Sequence, residues 1–134
     1  MQDCIFCGIA VWEIACYQIW ENEEFIALFD LYPSGPGQTL VMPKKQYSSD
    51  IFGVEEEGFY ERLMQAGKTV AKLLKKTFKV ERVALVVEGL MVDHLHLRLY
   101  PLNPGMGLQI DGRKKAKPSD LKRWQKIVAE GGSI

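Results

Sequence analysis

Short β-like runs of apolar residues fill the first third of the chain, and helical spacing dominates its middle. Tyr17 and Ile19, then Phe25, Ile26 and Leu28, flank the polar stretch Glu21-Asn22-Glu23-Glu24, which predicts a hairpin between Ala15 and Phe29. Pro33-Ser34-Gly35-Pro36-Gly37 is dense in turn formers and reads as a loop. Gln38 to Met42 reads as an apolar strand closed by Pro43, followed by a solvated loop at Lys44-Lys45-Gln46. Phe59, Leu63, Val70 and Leu74, with Met64, Gly67 and Ala71 beside them, recur at three and four residues and predict a helix from about Glu55 to Phe78. Glu55, Glu56 and Glu57 then fall in its first turn, with Lys72, Lys75 and Lys76 near its end, both complementing the helix dipole on a solvated face.

Val83-Ala84-Leu85-Val86-Val87 is an uninterrupted apolar run, the pattern of a central strand buried on both faces. Glu88-Gly89 ends it, and a further strand is expected from Val92 to Tyr100, stopping at Pro101. Leu102 to Lys117 is rich in Gly, Pro and basic residues and reads as an exposed loop. Ser119 is placed to cap a last helix, Asp120 to about Ala129, that Gly131-Gly132 terminates. No repeat or linker interrupts this order, so residues 1–134 are expected to form a single domain.

Composition narrows the picture. With 47% hydrophobic and 25% charged residues the chain can bury a core. Lys plus Arg number 17 and Asp plus Glu number 17, so the formal charge is zero and nothing pulls the chain to nucleic acid or a membrane. The basic cluster Arg113-Lys114-Lys115-Ala116-Lys117 reads as a solvated loop. No apolar run approaches the roughly 20 residues of a membrane span. The opening Met1-Gln2-Asp3-Cys4 has no basic segment leading into an apolar one, so no secretory signal is expected and the cytoplasm is the expected location. Of the three cysteines, Cys4 and Cys7 have a spacing that suggests metal binding or redox work, while Cys16 reads as packing.

The candidate chemistry lies in Asp93-His94-Leu95-His96-Leu97-Arg98-Leu99, which holds both histidines of the chain. Side chains alternate along an extended strand, so His94, His96 and Arg98 point one way and the three leucines the other. The leucines need a core; the bases then line an opposite, polar face. Two imidazoles and a guanidinium there form a receptor for phosphate.

These residues resemble the signature of the histidine-triad (HIT) family of nucleotide-binding hydrolases and transferases, in which three histidines alternate with hydrophobic residues. Val92-Asp93-His94-Leu95-His96-Leu97-Arg98-Leu99-Tyr100-Pro101 matches it except that Arg98 stands for the third histidine. Cys4-Ile5-Phe6-Cys7 is similar to the family's N-terminal start, and Phe29 to Pro33 and Pro36 to Lys45 resemble its second block. The resemblance implies an α+β fold, an antiparallel sheet with a long packed helix and a C-terminal helix, joined into a homodimer. It implies that His96 is the nucleophile toward the α-phosphorus of a nucleoside phosphoramidate or dinucleoside polyphosphate, with His94 and Arg98 beside it. It further implies that Asp30 holds the ribose, that Leu28, Phe29 and Leu31 wall the base, and that Gly89 lets backbone approach the phosphate. The implied partner is a purine nucleotide, and no cofactor is required. A nucleotide sensor without turnover and a nucleotidylyltransferase are the alternatives.

Three departures from the pattern carry consequences. Arginine neutralises phosphate charge but does not give up a proton near neutral pH. Gly89-Leu90-Met91, where the family often has side-chain donors, has none. Some family members hold structural zinc with the two N-terminal cysteines, a histidine after Lys-Lys and the first signature histidine. This chain has Cys4, Cys7 and His94 but Gln46 in the remaining place, one short of a closed four-ligand site.

Overall fold

The computed structural model describes residues 5–10 and 16–134. Its elements run α1 (Ile5–Ala10), β1 (Gln18–Glu21), β2 (Phe25–Phe29), β3 (Thr39–Pro43), α2 (Phe59–Phe78), β4 (Arg82–Val86), β5 (Leu97–Leu102) and α3 (Pro118–Glu130), with a 3-10 turn at Ile51–Gly53. The strands form one antiparallel sheet in the order β1-β2-β3-β5-β4. This is the expected α+β arrangement.

The hairpin forms as the sequence predicts, because Asn22 turns it. Its side-chain Oδ1 accepts the backbone N–H groups of Glu24 and Phe25 at 2.9 and 2.7 Å. The central strand is β3, buried at every position, rather than the Val83–Val87 run. That run forms β4 at the sheet edge, where Leu85 is 39% exposed. Its apolar continuity therefore marks a strand with apolar side chains on both faces and one unpaired edge, a combination that an isolated sheet normally guards with charge.

The last strand also departs from expectation. Residues 92–96 lie outside the ladder, with bends at Asp93 and His94; β5 begins at Leu97 and runs through Pro101 to Leu102. Proline is tolerated there because pairing with β3 ends at Leu99, so on that side the ladder needs no N–H from residue 101.

Helix α2 starts at Phe59 rather than Glu55, since Gly58 takes a left-handed φ of 76° at its N-cap. The three glutamates thus precede the helix, and only Glu61 lies in its first turn. Helix α3, by contrast, starts two residues early: Pro118 occupies the first turn, where its missing N–H costs nothing, and Ser119 makes no cap.

The sheet has two unlike faces. Phe25, Ala27, Phe29, Val41, Leu95, Leu97 and Leu99 pack with the buried stripe of α2 and with Leu121, Trp124 and Val128 of α3. Helix and sheet come closest at Gly67, where an added Cβ would lie 3.2 Å from Leu97 Cδ1. The opposite face carries Ile26, Leu28, Leu40 and Met42, covered by Phe6 of α1. Leu97 is 1% exposed, so Leu97→Ala should lower unfolding free energy by about 2–5 kcal/mol in urea titration; a change under about 1 kcal/mol would mean the helix does not press on β5 as described.

Candidate active site

The site is built on the α1 side of the sheet. Leu95, Leu97 and Leu99 are buried toward α2, so alternation turns His94, His96 and Arg98 to the other face, as the sequence predicts. That face is not an open polar surface. His94 is fully buried and His96 is 3% exposed, because Phe6 sets its ring edge-on to both, with centroids 5.9 and 4.9 Å away.

Each imidazole is held through one ring nitrogen by a backbone carbonyl. Carbonyls only accept, so His94 donates from Nε2 to Pro43 O at 2.7 Å, and His96 donates from Nδ1 to the oxygen of His94 at 2.8 Å. His96 is thereby fixed in the tautomer whose Nε2 carries the lone pair. Burial pushes the pKa of His96 below the ordinary imidazole value, an effect strengthened by Arg98 and His94 and opposed by its carbonyl bond and Asp30. His94 is lowered for the same leading reason, burial. Both rings are therefore neutral at pH 7.

Arg98 lies beside Leu40 of β3 and Val86 of β4 in the sheet register. Its Nε is buried without a hydrogen-bond partner, and no carboxylate of the described residues pairs with its guanidinium. An unsatisfied buried donor costs about 1–3 kcal/mol, which an incoming anion would offset.

Asp30, directly after β2, is 5% exposed and firmly positioned. Its Oδ1 accepts the Tyr32 N–H at 2.8 Å and its Oδ2 accepts Gln38 Nε2 at 2.7 Å. Arg113 Nη2 stands 3.5 Å from Oδ1 while its Nε donates to Tyr32 O at 2.7 Å. The basic loop is thus not wholly solvated: Arg113 turns inward, and the backbone of Lys114 and Ala116 donates to Pro33 and Leu31. Gln38, 1% exposed, in turn accepts the Ser34 N–H at 2.7 Å. Past Arg98, Tyr100 and Leu102 join Ser34, Gln38, Asn103 and Met106 around an open cavity of about 220 Å³.

Not every residue implied by the resemblance reaches this face. Leu28 does, packing with Phe6 and Leu40. Phe29 does not: as the next residue of β2 it faces the core, stacked edge-on to Phe78 and Trp124, so it cannot wall a base beside His96. Leu31 is 40% exposed at the rim. Gly89 has φ 74°, and the group pressed against it is Ser49, whose carbonyl oxygen would lie 2.5 Å from an added Cβ. Ser49 Oγ also donates to Gly89 O at 2.6 Å, so the glycine serves this loop contact. Phe6, Gln38 and Arg113 were not singled out from the sequence. Phe6 lies within a motif whose cysteines draw the attention; Gln38 acts through Asp30, eight positions away, and Arg113 through contacts some eighty positions away.

Of the residues considered for zinc, Cys7 and His94 lie together, with Gln46 in the remaining place. Cys7 Sγ lies 3.3 Å from His94 Nδ1 and 3.6 Å from the Gln46 side-chain oxygen, whose amide nitrogen is held by Asp93 O. Cys4 lies outside the described residues, and among those described no three His, Cys, Asp or Glu side chains are grouped to hold a metal. Cys16 packs at the edge of the apolar cluster, as expected, with its thiol pKa raised by burial.

The HIT domain family model matches residues 12–104. This chain belongs to the HIT family. It is 33% identical over 130 residues to an uncharacterised HIT-like protein of Mycoplasma genitalium, covering 92% of this chain and 91% of that one. A hypothetical histidine triad nucleotide-binding protein from Sulfolobus tokodaii has a similar structure, with TM-score 0.81 and 29% identity over 96% of this chain and 91% of that one. The adenosine 5'-monophosphoramidase HNT1 of Saccharomyces cerevisiae is 30% identical over 99 residues, 73% of this chain and 61% of the yeast protein.

If the lowered pKa of His96 comes from the Phe6 cover, Phe6→Ala should move it up toward about 6.5 in an NMR titration of the imidazoles. An unmoved midpoint would place the cause of desolvation elsewhere.

Proposed function

We propose that this HIT protein binds a purine nucleotide and hydrolyses it at the α-phosphate through a nucleotidyl intermediate on His96. The observation that carries the reading is the His96 Nδ1–H bond to the His94 carbonyl, which leaves the Nε2 lone pair free on a ring that feels the charge of Arg98, a guanidinium with no carboxylate partner among the described residues. A neutral imidazole with an uncommitted lone pair is a nucleophile, and splitting one displacement into two lowers each barrier. Arg98 opposes the charge on the phosphoryl oxygens, and positioning supplies much of the rest.

Phe6 and Leu28 offer apolar surface to a base, and Asp30 keeps acceptor capacity for ribose hydroxyls beyond the two N–H bonds it already takes. The yeast relative is a phosphoramidase, so nucleoside phosphoramidates and dinucleoside polyphosphates are the two substrate classes to compare. A nucleotide sensor without turnover is the second reading, favoured by the Phe6 ring lying against His96. The half-exposed edge β4 is the surface on which a second copy would extend the sheet, consistent with the proposed homodimer.

Rapid acid-free quenching with labelled nucleotide should leave label on the wild-type chain and none on His96→Ala, with the modified peptide containing His96. Binding without any such adduct would support the sensor. Because its pKa is lowered, His96 should stay neutral as the pH falls past the ordinary imidazole midpoint, so the acid limb of kcat/KM should lie below about pH 6.5. A limb above that value would argue against His96 as the free nucleophile. Sedimentation of the wild type should give twice the monomer mass, and Leu85→Glu should shift it to monomer; monomeric wild type would remove the dimer proposal.

A further inference from the structure

The groups that act electrostatically on His96 are Arg98, His94 and Asp30. None of them is placed to hand a proton to a departing group. Arg98 holds its protons at any pH the protein meets. The His94 Nε2–H is committed to Pro43 O, and its other nitrogen faces the Cys7 thiol. Both oxygens of Asp30 serve as acceptors, from the Tyr32 N–H and from Gln38. Two further candidates among the described residues are also ill placed. The Cys16 thiol turns to the Gln18 backbone, and Tyr100, four residues or about 13 Å of extended chain beyond His96, lines the far cavity. Among the described residues, then, the site has a nucleophile and a fixed cation but no acid.

We infer that Arg98 makes this site selective for nucleotides whose leaving group departs as an anion, phosphoanhydrides above all, and against those whose leaving group is an amine. The inference rests on the proposed nucleophilic role of His96 and names the substrate class of that same site. In the first step the Nε2 lone pair forms a bond to the α-phosphorus, and the P–O bridge breaks with its electron pair on the departing oxygen. That oxygen belongs to a phosphate or polyphosphate, whose last ionisation lies near pKa 6, so it leaves without a proton. Its charge is met by the guanidinium whose Nε has no other partner. In the second step water attacks the phosphorus, the P–N bond breaks with its pair returning to Nε2, and the proton of water passes to solvent. The same first step on a phosphoramidate breaks a P–N bond, and the departing nitrogen must gain a proton that no described neighbour supplies. An arginine also binds anions without regard to the protonation of the leaving group, so selection arises from charge and from the missing acid together.

The test compares a dinucleoside polyphosphate with a phosphoramidate of the same nucleoside at pH 7. A positioned general acid is worth about 100-fold or more, so wild-type kcat/KM should favour the polyphosphate by about that factor. Arg98→His should narrow the ratio about tenfold or more by restoring turnover of the phosphoramidate. Arg98→Gln should lower turnover of both substrates, and that of the polyphosphate by the larger factor. A purely structural role for Arg98 would lower both substrates together and leave the ratio fixed. Equal wild-type kcat/KM for the two substrates, with a His96 adduct formed from each, would overturn the selectivity while leaving the nucleophile in place. Absence of the adduct from both would overturn the His96 reading and the selectivity with it. The wild-type ratio decides even if a variant fails to fold.

Discussion

One hydrogen bond organises the chemistry of this fold: His96 Nδ1–H to the carbonyl oxygen of His94, 2.8 Å long and buried. It satisfies a ring donor that burial would otherwise orphan, and it decides which nitrogen keeps the lone pair. The bond is local in sequence, but it is useful only because the following leucines are locked into the α2-side core. Loosening Leu95 or Leu97 would let the segment rotate and take the imidazole with it. Core packing and reactive geometry are therefore one constraint seen from the two faces of β5.

The two faces place opposite demands on the chain. Toward α2 the packing is largely apolar and closes at Gly67, where helix and strand nearly touch. Toward α1 the sheet buries two neutral imidazoles and part of an arginine among Ile26, Leu28, Leu40 and Met42. Burial keeps the imidazoles uncharged, and the carbonyls of Pro43 and His94 keep them satisfied. Arg98 Nε has no such compensation within the described chain, which leaves it open to water or to an anion.

Much of this was legible before any coordinates. Alternation through Asp93 to Leu99 put the bases on one face and the leucines on the other, and the hairpin and long helix followed from period two and period near four. Three failures have physical causes. The Val83–Val87 run reads as central because continuous apolarity reports faces, not edges, and β4 is apolar on both faces yet unpaired on one side. Phe29 was grouped with Leu28 as a base wall although adjacent strand residues point to opposite faces; applying the rule that oriented His96 would have excluded it. Arg113 was hidden because its partners, Asp30 and Tyr32, lie some eighty positions away, a distance no local pattern spans.

Family membership fits these particulars without settling them. The HIT domain match covers the sheet and α2, while Arg98 sets this chain apart from the three-histidine pattern it resembles. The chemistry turns on the state of a single ring, and that state is directly observable. A long-range proton–nitrogen correlation spectrum of the free protein at pH 7 should show His96 neutral, protonated on Nδ1 and bare on Nε2. An imidazolium, or a neutral ring protonated on Nε2, would contradict it.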